Sequence, residues 1–335
     1  MNLVEELGER KIIDLIMECL DQMPNTPVPF GDDVSAIDIG NGKLAVIKTD
    51  MLVGKTDVPA AMNLWQAARK AVVMNVSDLA AKGVQPIALL ASIGIPKGLS
   101  KKDIQQIGKG LNNGAREYNA YVLGGDTNEA SDLIISCAAL GICQKRDLIK
   151  RSGAKPKDYV AVTGFFGKTA SGLKILLENL LVPPDIKEEL VNAVFMPRAR
   201  LKEGLALAQT QAATASIDSS DGLAWSIHEI SRASKVGFVI DNLPIASEME
   251  KFTQIHGLDP VELSLYGGEE YELLVTVKPK FWQDAKEAVE NVGGSLIKIG
   301  LATKEKGLFL KRMGKTVPIE ARGWEHFKTG LNQRA

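Results

Sequence analysis

Six short segments, each setting acidic residues among small or apolar neighbours, constrain this chain of 335 residues more than any other feature. Apart from Lys48, no lysine or arginine stands within two positions of the key acids, so the local sequence offers them no counter-charge. Two carboxylates about 5 Å apart repel by roughly 3 kcal/mol at an effective dielectric constant near 20, so a shared cleft requires cations. Hard oxygen donors without a histidine or cysteine cluster favour Mg²⁺, which usually arrives with phosphates. The segments span residues 31–33, 48–50, 75–78, 124–127, 216–222 and 267–270.

Composition narrows the class of partner. The formal net charge is -1 and aromatic residues make up 5% of the chain, which gives no reason to expect nucleic acid or an anionic membrane. No apolar run approaches the length of a membrane span. The three cysteines, Cys19, Cys137 and Cys143, form no CxxC pair and fit free thiols in the cytoplasm. We therefore expect a cytoplasmic protein that binds small ligands.

Hydrophobic periodicity predicts helices and strands in both halves of the chain. The predicted helices cover 3–20, 62–82, 171–181, 185–193, 198–213 and 223–233, with another beginning near Ser100. The predicted strands cover 34–39, 44–49, 86–95, 121–126, 133–142, 159–163, 238–240, 273–277 and 308–310. Asp50 is predicted to end the second strand and the glycines 124–125 to form a turn. This pattern indicates an α/β (α+β) fold with two domains, residues 1–148 and 149–335.

Each acid taken alone is more simply explained as a turn residue or a helix cap. Asn75 and Asp78 are three apart and share a helical face, whereas Asp218 and Asp221 precede a predicted helix. Arg151 lies in a basic stretch and fits either a solvated linker or a group that binds a nucleotide phosphate. Residues 163–169 end like a phosphate-binding loop but lack its first glycine, so they predict a strand-to-helix turn.

Taken together and in order, eight segments resemble the thiamine-monophosphate kinases, of the ATP-using superfamily of aminoimidazole ribonucleotide synthetase. The matching stretches are GDDVSAI (31–37), KTDMLV (48–53), NVSDLAAKG (75–83), GGDTN (124–128), RSGAKPKD (151–158), SIDSSDGLA (216–224), YGGEEYELL (266–274) and GWEHF (323–327). The resemblance implies two α/β domains, with the amino-terminal domains pairing into a barrel across a homodimer. It also implies transfer of the γ-phosphoryl group of ATP to thiamine monophosphate, assisted by several Mg²⁺ ions.

The resemblance further implies roles for particular residues. Those that would bind Mg²⁺ are Asp33, Thr49, Asp50, Asp78, Asp126, Asp218 and Asp221. Those that would contact ATP are Gly125, Asp126, Arg151 and Ser220. Glu269 and Trp324 would contact the thiamine moiety. Family members often have a histidine where this chain has Asp57, which leaves one substrate contact open.

Other functions fit the sequence less well. Selenophosphate synthesis would need a reactive cysteine in an amino-terminal glycine-rich loop, whereas Cys19 lies in a predicted helix. The related hydrogenase-maturation protein ends in a functional cysteine, and this chain ends in Ala335. An enzyme of the same superfamily acting on a purine precursor, or a non-catalytic nucleotide-binding relative, stays open as an alternative.

Overall fold

The computed structural model describes residues 7–327 and contains two β-sheets flanked by helices. The first sheet has the strand order β1-β2-β5-β3-β4, in which only β3 and β4 pair in parallel. Its strands are β1 (Ser35–Asp38), β2 (Lys43–Val53), β3 (Pro86–Ile95), β4 (Tyr121–Glu129) and β5 (Ile134–Gln144). The helices of this half are α1 (Glu9–Met17), α2 (Gly54–Asp57), α3 (Leu64–Ala81) and α4 (Lys101–Glu117).

The second sheet has seven strands in the order β12-β11-β8-β10-β6-β9-β7. Its strands are β6 (Tyr159–Val162), β7 (Ala213–Asp218), β8 (Gly237–Ile240), β9 (Leu273–Val277), β10 (Ile297–Thr303), β11 (Leu308–Arg312) and β12 (Lys315–Pro318). The helices are α5 (Lys168–Glu178), α6 (Pro184–Phe195), α7 (Leu201–Thr210), α8 (Leu223–Ser234), α9 (Ser247–His256), α10 (Pro260–Tyr266) and α11 (Trp282–Asn291). The fold is therefore mixed α/β with two sheets, and no helix among residues 7–327 is long and apolar enough to cross a membrane.

Helix α3 lies between the two halves and is buried on nearly all sides. It packs on β2 and β5 of the first sheet and also contacts α7, β7 and β9 of the second half. Small residues allow this close approach: a Cβ added at Gly204 of α7 would lie 1.9 Å from the carbonyl oxygen of Ala80. Because α3 faces both halves, polar side chains along it can reach groups from either one.

The face of the first sheet that points away from α3 is apolar and exposed. Along β2 and β5 the side chains alternate, so the inward set is buried while the outward set is not. The exposed large side chains on these strands and on β3 and β4 include Ile47, Met51, Leu90, Leu123, Leu140 and Ile142. A contiguous apolar sheet face of this kind is typical of a protein–protein contact.

Three local predictions are wrong. The strand predicted to end at Asp50 continues to Val53, because β2 stays paired with β5 as far as that residue. The glycines 124–125 lie within β4 instead of in a turn, and a Cβ at Gly125 would lie 1.8 Å from the carbonyl oxygen of Ala91 on β3. Residues 198–213, predicted to be one helix, form α7 and the start of β7. Of the predicted helix 3–20, residues 9–17 form α1, residues 18–20 are not helical, and residues 1–6 lie outside the described part of the chain.

Candidate active site

Three buried aspartates from three different elements converge beside α3. Asp33 precedes β1, Asp78 lies on α3 and Asp218 ends β7. One carboxylate oxygen from each lies within 4.8 Å of the others. The Ser77 hydroxyl donates a hydrogen bond of 2.7 Å to Asp218 Oδ2, which fixes that carboxylate against α3. Residues from both halves of the fold therefore build one acidic cluster.

Two further predicted ligands adjoin this cluster. Asp50 lies on the side of β2 that faces α3, and its backbone N–H donates to the side-chain oxygen of Asn75 at 3.0 Å. Asp221 follows the cluster residue Asp218 by three positions, in the turn that leads into α8. Asn75 and Asp78 lie on the same face of α3, and Asn75 fixes the strand that carries Asp50 beside Asp78.

Two other predicted ligands lie apart from it. The Thr49 side chain is on the outward face of β2, opposite Asp50, and its hydroxyl donates to the carbonyl oxygen of Cys137. Asp126 lies on the edge strand β4, which β5 and β3 separate from β2. Three strand spacings put Asp126 about 14 Å from the strand of Asp50. One chain alone does not bring Asp126 into the cluster.

The structure corrects the inference that something outside the chain has to neutralise these acids, because distant lysines and an arginine do much of it. The Lys82 ammonium is fully buried, with 2.7 and 2.6 Å to Asp32 and Asp33. Lys48 Nζ lies 3.1 Å from Asp50 and 3.0 Å from Asp78. The Arg151 guanidinium pairs with Asp33, donates to the Gly31 carbonyl oxygen and lies near Glu229. The predicted contact of Arg151 with ATP stays a prediction.

The acids fall into two groups by the direction in which their pKa values shift. Burial opposes ionisation of Asp33, but Lys82 and Arg151 outweigh it and lower the pKa of that carboxyl below its usual value. Burial, with repulsion from Asp33, raises the pKa of Asp218 to about 6. Burial, with repulsion from Glu9, raises the pKa of Asp221 to about 7. Asp78 also has a pKa well above normal, because burial and three neighbouring carboxylates outweigh Lys48.

The cluster fits a divalent cation. Its donors are carboxylate oxygens that lie within 4.8 Å of one another. This separation is close to the roughly 4 Å between opposite ligands of Mg²⁺. A cation beside carboxyls with raised pKa favours their ionised form, so the ion and the acids stabilise each other. Asp33, Asp78 and Asp218 are therefore the residues that would hold Mg²⁺, with Asp50 and Asp221 beside them.

A cavity of about 900 Å³ is lined by all three predicted substrate residues, Asp57, Glu269 and Trp324. Its wall also carries aromatic and charged groups, namely Tyr266, Arg322, His326 and Phe327. One oxygen of Asp57 accepts a hydrogen bond of 2.7 Å from the Val53 backbone N–H, which fixes the carboxylate at the end of β2.

The cavity is joined directly to the acidic segment 218–221. The backbone N–H of Glu269 donates to the Ser220 carbonyl oxygen at 2.6 Å, and that of Trp324 donates to the Asp221 carbonyl oxygen at 3.0 Å. Glu269 has φ +64°, a left-handed conformation that costs a non-glycine residue free energy. This backbone pairing therefore fixes the predicted substrate residues Glu269 and Trp324 against the predicted ATP residue Ser220.

Lys70 is a functional candidate that sequence reasoning missed. Its ammonium is 1% exposed on α3, donates to the backbone oxygen of Asp57 at 2.9 Å and pairs with Glu269 at 2.5 Å. It therefore links predicted substrate residues from the two halves of the fold. The sequence contains a signal for such residues. The predicted helix is rich in alanine and valine on most of its sides, so the polar residues within it, Lys70, Ser77 and Lys82, are expected to be buried.

Comparison with known proteins supplies the context for this arrangement. Residues 31–143 match the family model of the AIR synthase related protein, N-terminal domain, and residues 163–312 match that of the C-terminal domain. The chain is similar to the thiamine-monophosphate kinase of Pyrococcus horikoshii, with 36% identity over 97% of this chain and 98% of the relative. It is 37% identical to that of Pyrococcus abyssi over 98% and 99% of the two chains.

Solved structures agree with the sequence relatives. A structure described as AaThiL complexed with AMPPCP and TMP has a TM-score of 0.85 and 28% identity, covering 97% of this chain and 99% of the other. Thiamine monophosphate kinase from Aquifex aeolicus has a TM-score of 0.78 and 27% identity, covering 91% and 97%. The similarity therefore extends over both sheets and over the cluster between them.

Proposed function

This chain belongs to the thiamine-monophosphate kinases of the AIR synthase related family, and we propose that it transfers the γ-phosphoryl group of ATP to thiamine monophosphate. One observation carries the proposal: the cavity lined by Asp57, Glu269 and Trp324 is hydrogen-bonded to the segment that carries Asp218 and Asp221. A relative of the same fold is complexed with AMPPCP, an ATP analogue, and with TMP.

The chemistry needs positioning more than covalent catalysis. A phosphate oxygen of thiamine monophosphate attacks the γ-phosphorus, the bond from that phosphorus to the bridging oxygen of ADP breaks, and thiamine diphosphate forms. A phosphate monoester is already largely ionised near neutral pH, so the acceptor needs no general base. Mg²⁺ held by Asp33, Asp78 and Asp218 would neutralise the charge of the two anionic reactants.

The cavity suits a cationic aromatic substrate. The carboxylates of Asp57 and Glu269 complement the positive thiazolium ring, and the Trp324 ring can stack on it. Lys70 fixes Glu269 so that the carboxylate stays directed towards the cavity. In this scheme Asp57 takes the place of the histidine common in the family and contributes a negative charge.

A homodimer is part of the proposal. The exposed apolar face of the first sheet, which includes Leu90, Leu123 and Leu140, suits a second copy of the same face. Pairing of these faces would build the barrel expected from the family and would cover the face that carries Asp126. We also expect a cytoplasmic location, because ATP is the co-substrate and the described cysteines are free thiols.

A substrate panel monitored by ADP release tests the proposal. With Mg²⁺ and ATP, we expect thiamine monophosphate to be converted to thiamine diphosphate. Activity with a purine precursor alone would support the other enzyme class, and nucleotide binding without turnover would support a non-catalytic relative.

The metal ligands are tested separately. Asp78→Asn should lower turnover by at least about 100-fold while leaving the circular dichroism spectrum unchanged, since the side-chain volume is kept. Asp284→Asn, at an exposed position in the first turn of α11, is the matched control and should retain the wild-type rate. A near-normal rate for Asp78→Asn would remove Asp78 from the set of ligands.

A further inference from the structure

Lys48 lies between two of the acids in and beside the cluster, Asp78 and Asp50. Its side chain points to the same side of β2 as Asp50, and only 19% of it is exposed. The ammonium lies 3.1 Å from Asp50 Oδ1 and 3.0 Å from Asp78 Oδ2. Asp78 is also a member of the three-carboxylate group with Asp33 and Asp218. Asp78 thus contacts a covalently tethered cation and also belongs to the group that would hold an ion.

The charges of the site show why this position matters. Six carboxylates lie in the connected network, from Asp32, Asp33, Asp50, Asp78, Asp218 and Asp221. Three side-chain cations pair directly with members of this network, from Lys48, Lys82 and Arg151, and Arg10 acts on Asp221 from a greater distance. Lys82 and Arg151 are committed to the Asp32–Asp33 end. Lys48 is therefore the side-chain cation that serves the Asp50–Asp78 end, and without it two close carboxylates would share no fixed positive charge.

We propose that the Lys48 ammonium is a resident cation that takes the place of one divalent ion between Asp50 and Asp78. The site then takes up one divalent ion fewer than the same carboxylates would hold if residue 48 were neutral. An ammonium satisfies two carboxylates at about 3 Å without the strict octahedral shell that Mg²⁺ requires, so this position stays filled when nucleotide and its ions leave. The inference rests on the proposed Mg²⁺ chemistry of the cluster.

The test counts bound ions instead of turnover. Mn²⁺ bound per chain is measured by equilibrium dialysis and by the electron paramagnetic resonance signal of free Mn²⁺, at saturating AMPPCP. Lys48→Met keeps the length of the side chain and removes the charge, and we expect it to bind one more Mn²⁺ per chain than the wild type. Lys48→Arg keeps the charge and should bind the wild-type number. Lys145→Met, which removes an exposed partner of Asp38, should also leave the number unchanged.

The outcomes separate this proposal from the proposed function. The same number of ions in Lys48→Met as in the wild type would overturn the role of Lys48 alone. A wild type that binds no Mn²⁺ with AMPPCP would overturn the Mg²⁺ chemistry as well. If Lys48→Met does not fold, the double variant Lys48→Met/Asp50→Asn removes the charge pair together and should bind the wild-type number. An additional ion in that variant would overturn the proposal, because the Asp50 carboxylate that the ion is proposed to bind would no longer be present.

Discussion

Replacing Lys70 by methionine should weaken binding of thiamine monophosphate without a comparable effect on ATP. The ammonium is 1% exposed and holds both the Glu269 carboxylate and the Asp57 backbone oxygen. A hydrogen bond to a charged group contributes about 1.5–3 kcal/mol, and each 1.4 kcal/mol is a tenfold change in affinity. Since 26% of the Glu269 side chain is exposed, part of its lost pairing is recovered from water. We therefore expect the KM for thiamine monophosphate to rise about 10- to 100-fold.

Steady-state kinetics with each substrate varied in turn, and a double-mutant cycle with Glu269→Gln, measure this effect. The double variant should be little worse than Glu269→Gln alone, because Lys70 acts mainly through the carboxylate that this substitution removes. Lys286→Met, which breaks an exposed helical pair with Glu290, is the control and should leave both KM values unchanged. A rise of less than about threefold for Lys70→Met, or an equal rise for ATP, would refute the positioning role.

Three further predictions concern stability and assembly. Burial raises the pKa of Glu270 to about 7, so the native state binds its proton more tightly than the unfolded state, and stability falls as pH rises from about 4.5 to 7. Glu270→Gln retains an oxygen that accepts from the two backbone N–H groups at the start of α5. In urea unfolding, this variant should be more stable than the wild type by up to about 3 kcal/mol at pH 8, but not at pH 4. Leu140→Asp places a charge on the exposed face of the first sheet and should convert a dimer into a monomer in light scattering, whereas Leu181→Asp, 89% exposed elsewhere, should not. Gly204→Ala should lower the free energy of urea unfolding by about 1–3 kcal/mol, because the added Cβ meets the α3 backbone. Gly108→Ala, in open space on α4, is the control and should raise the free energy of unfolding by about 0.5–1 kcal/mol. Equal effects of the two substitutions would contradict the close packing of α3 and α7.

Local signals account for the parts of the fold that could be predicted from the sequence. The α4 amino terminus is one example: the Ser100 side chain accepts from the Asp103 backbone and Asp103 accepts in return, as their spacing indicates. Strand β3 has the bounds that its apolar run predicts. The burial of Cys137 was also predictable, because it lies in an apolar strand with alternating inward side chains.

Long-range pairing decides the parts that could not be predicted. The glycines 124–125 read as a turn because glycine usually breaks a strand, yet β4 needs Gly125 where its backbone approaches β3. Strand β7 contains Ala-Thr-Ala-Ser, which carries little hydrophobic pattern, and its position comes from pairing with β9. The partners of the acids could not be predicted because they are distant in the sequence. Lys82 and Arg151 are about 50 and 118 positions from Asp33 along the chain.

The fixed cations explain how an acidic site of this kind can exist before its reactants arrive. Lys82 and Arg151 lower the pKa of Asp33 in the fold, whereas burial and neighbouring carboxylates raise the pKa values of Asp218 and Asp221 to about 6 and 7. Repulsion is thus relieved by pairing at Asp33, whereas the raised pKa values of Asp218 and Asp221 favour partial protonation. Protons, unlike tethered side chains, leave as a divalent ion binds. The end of the cluster that adjoins Ser220 and the proposed substrate cavity is therefore the end whose charge can change, and it is where two anionic reactants would need added positive charge.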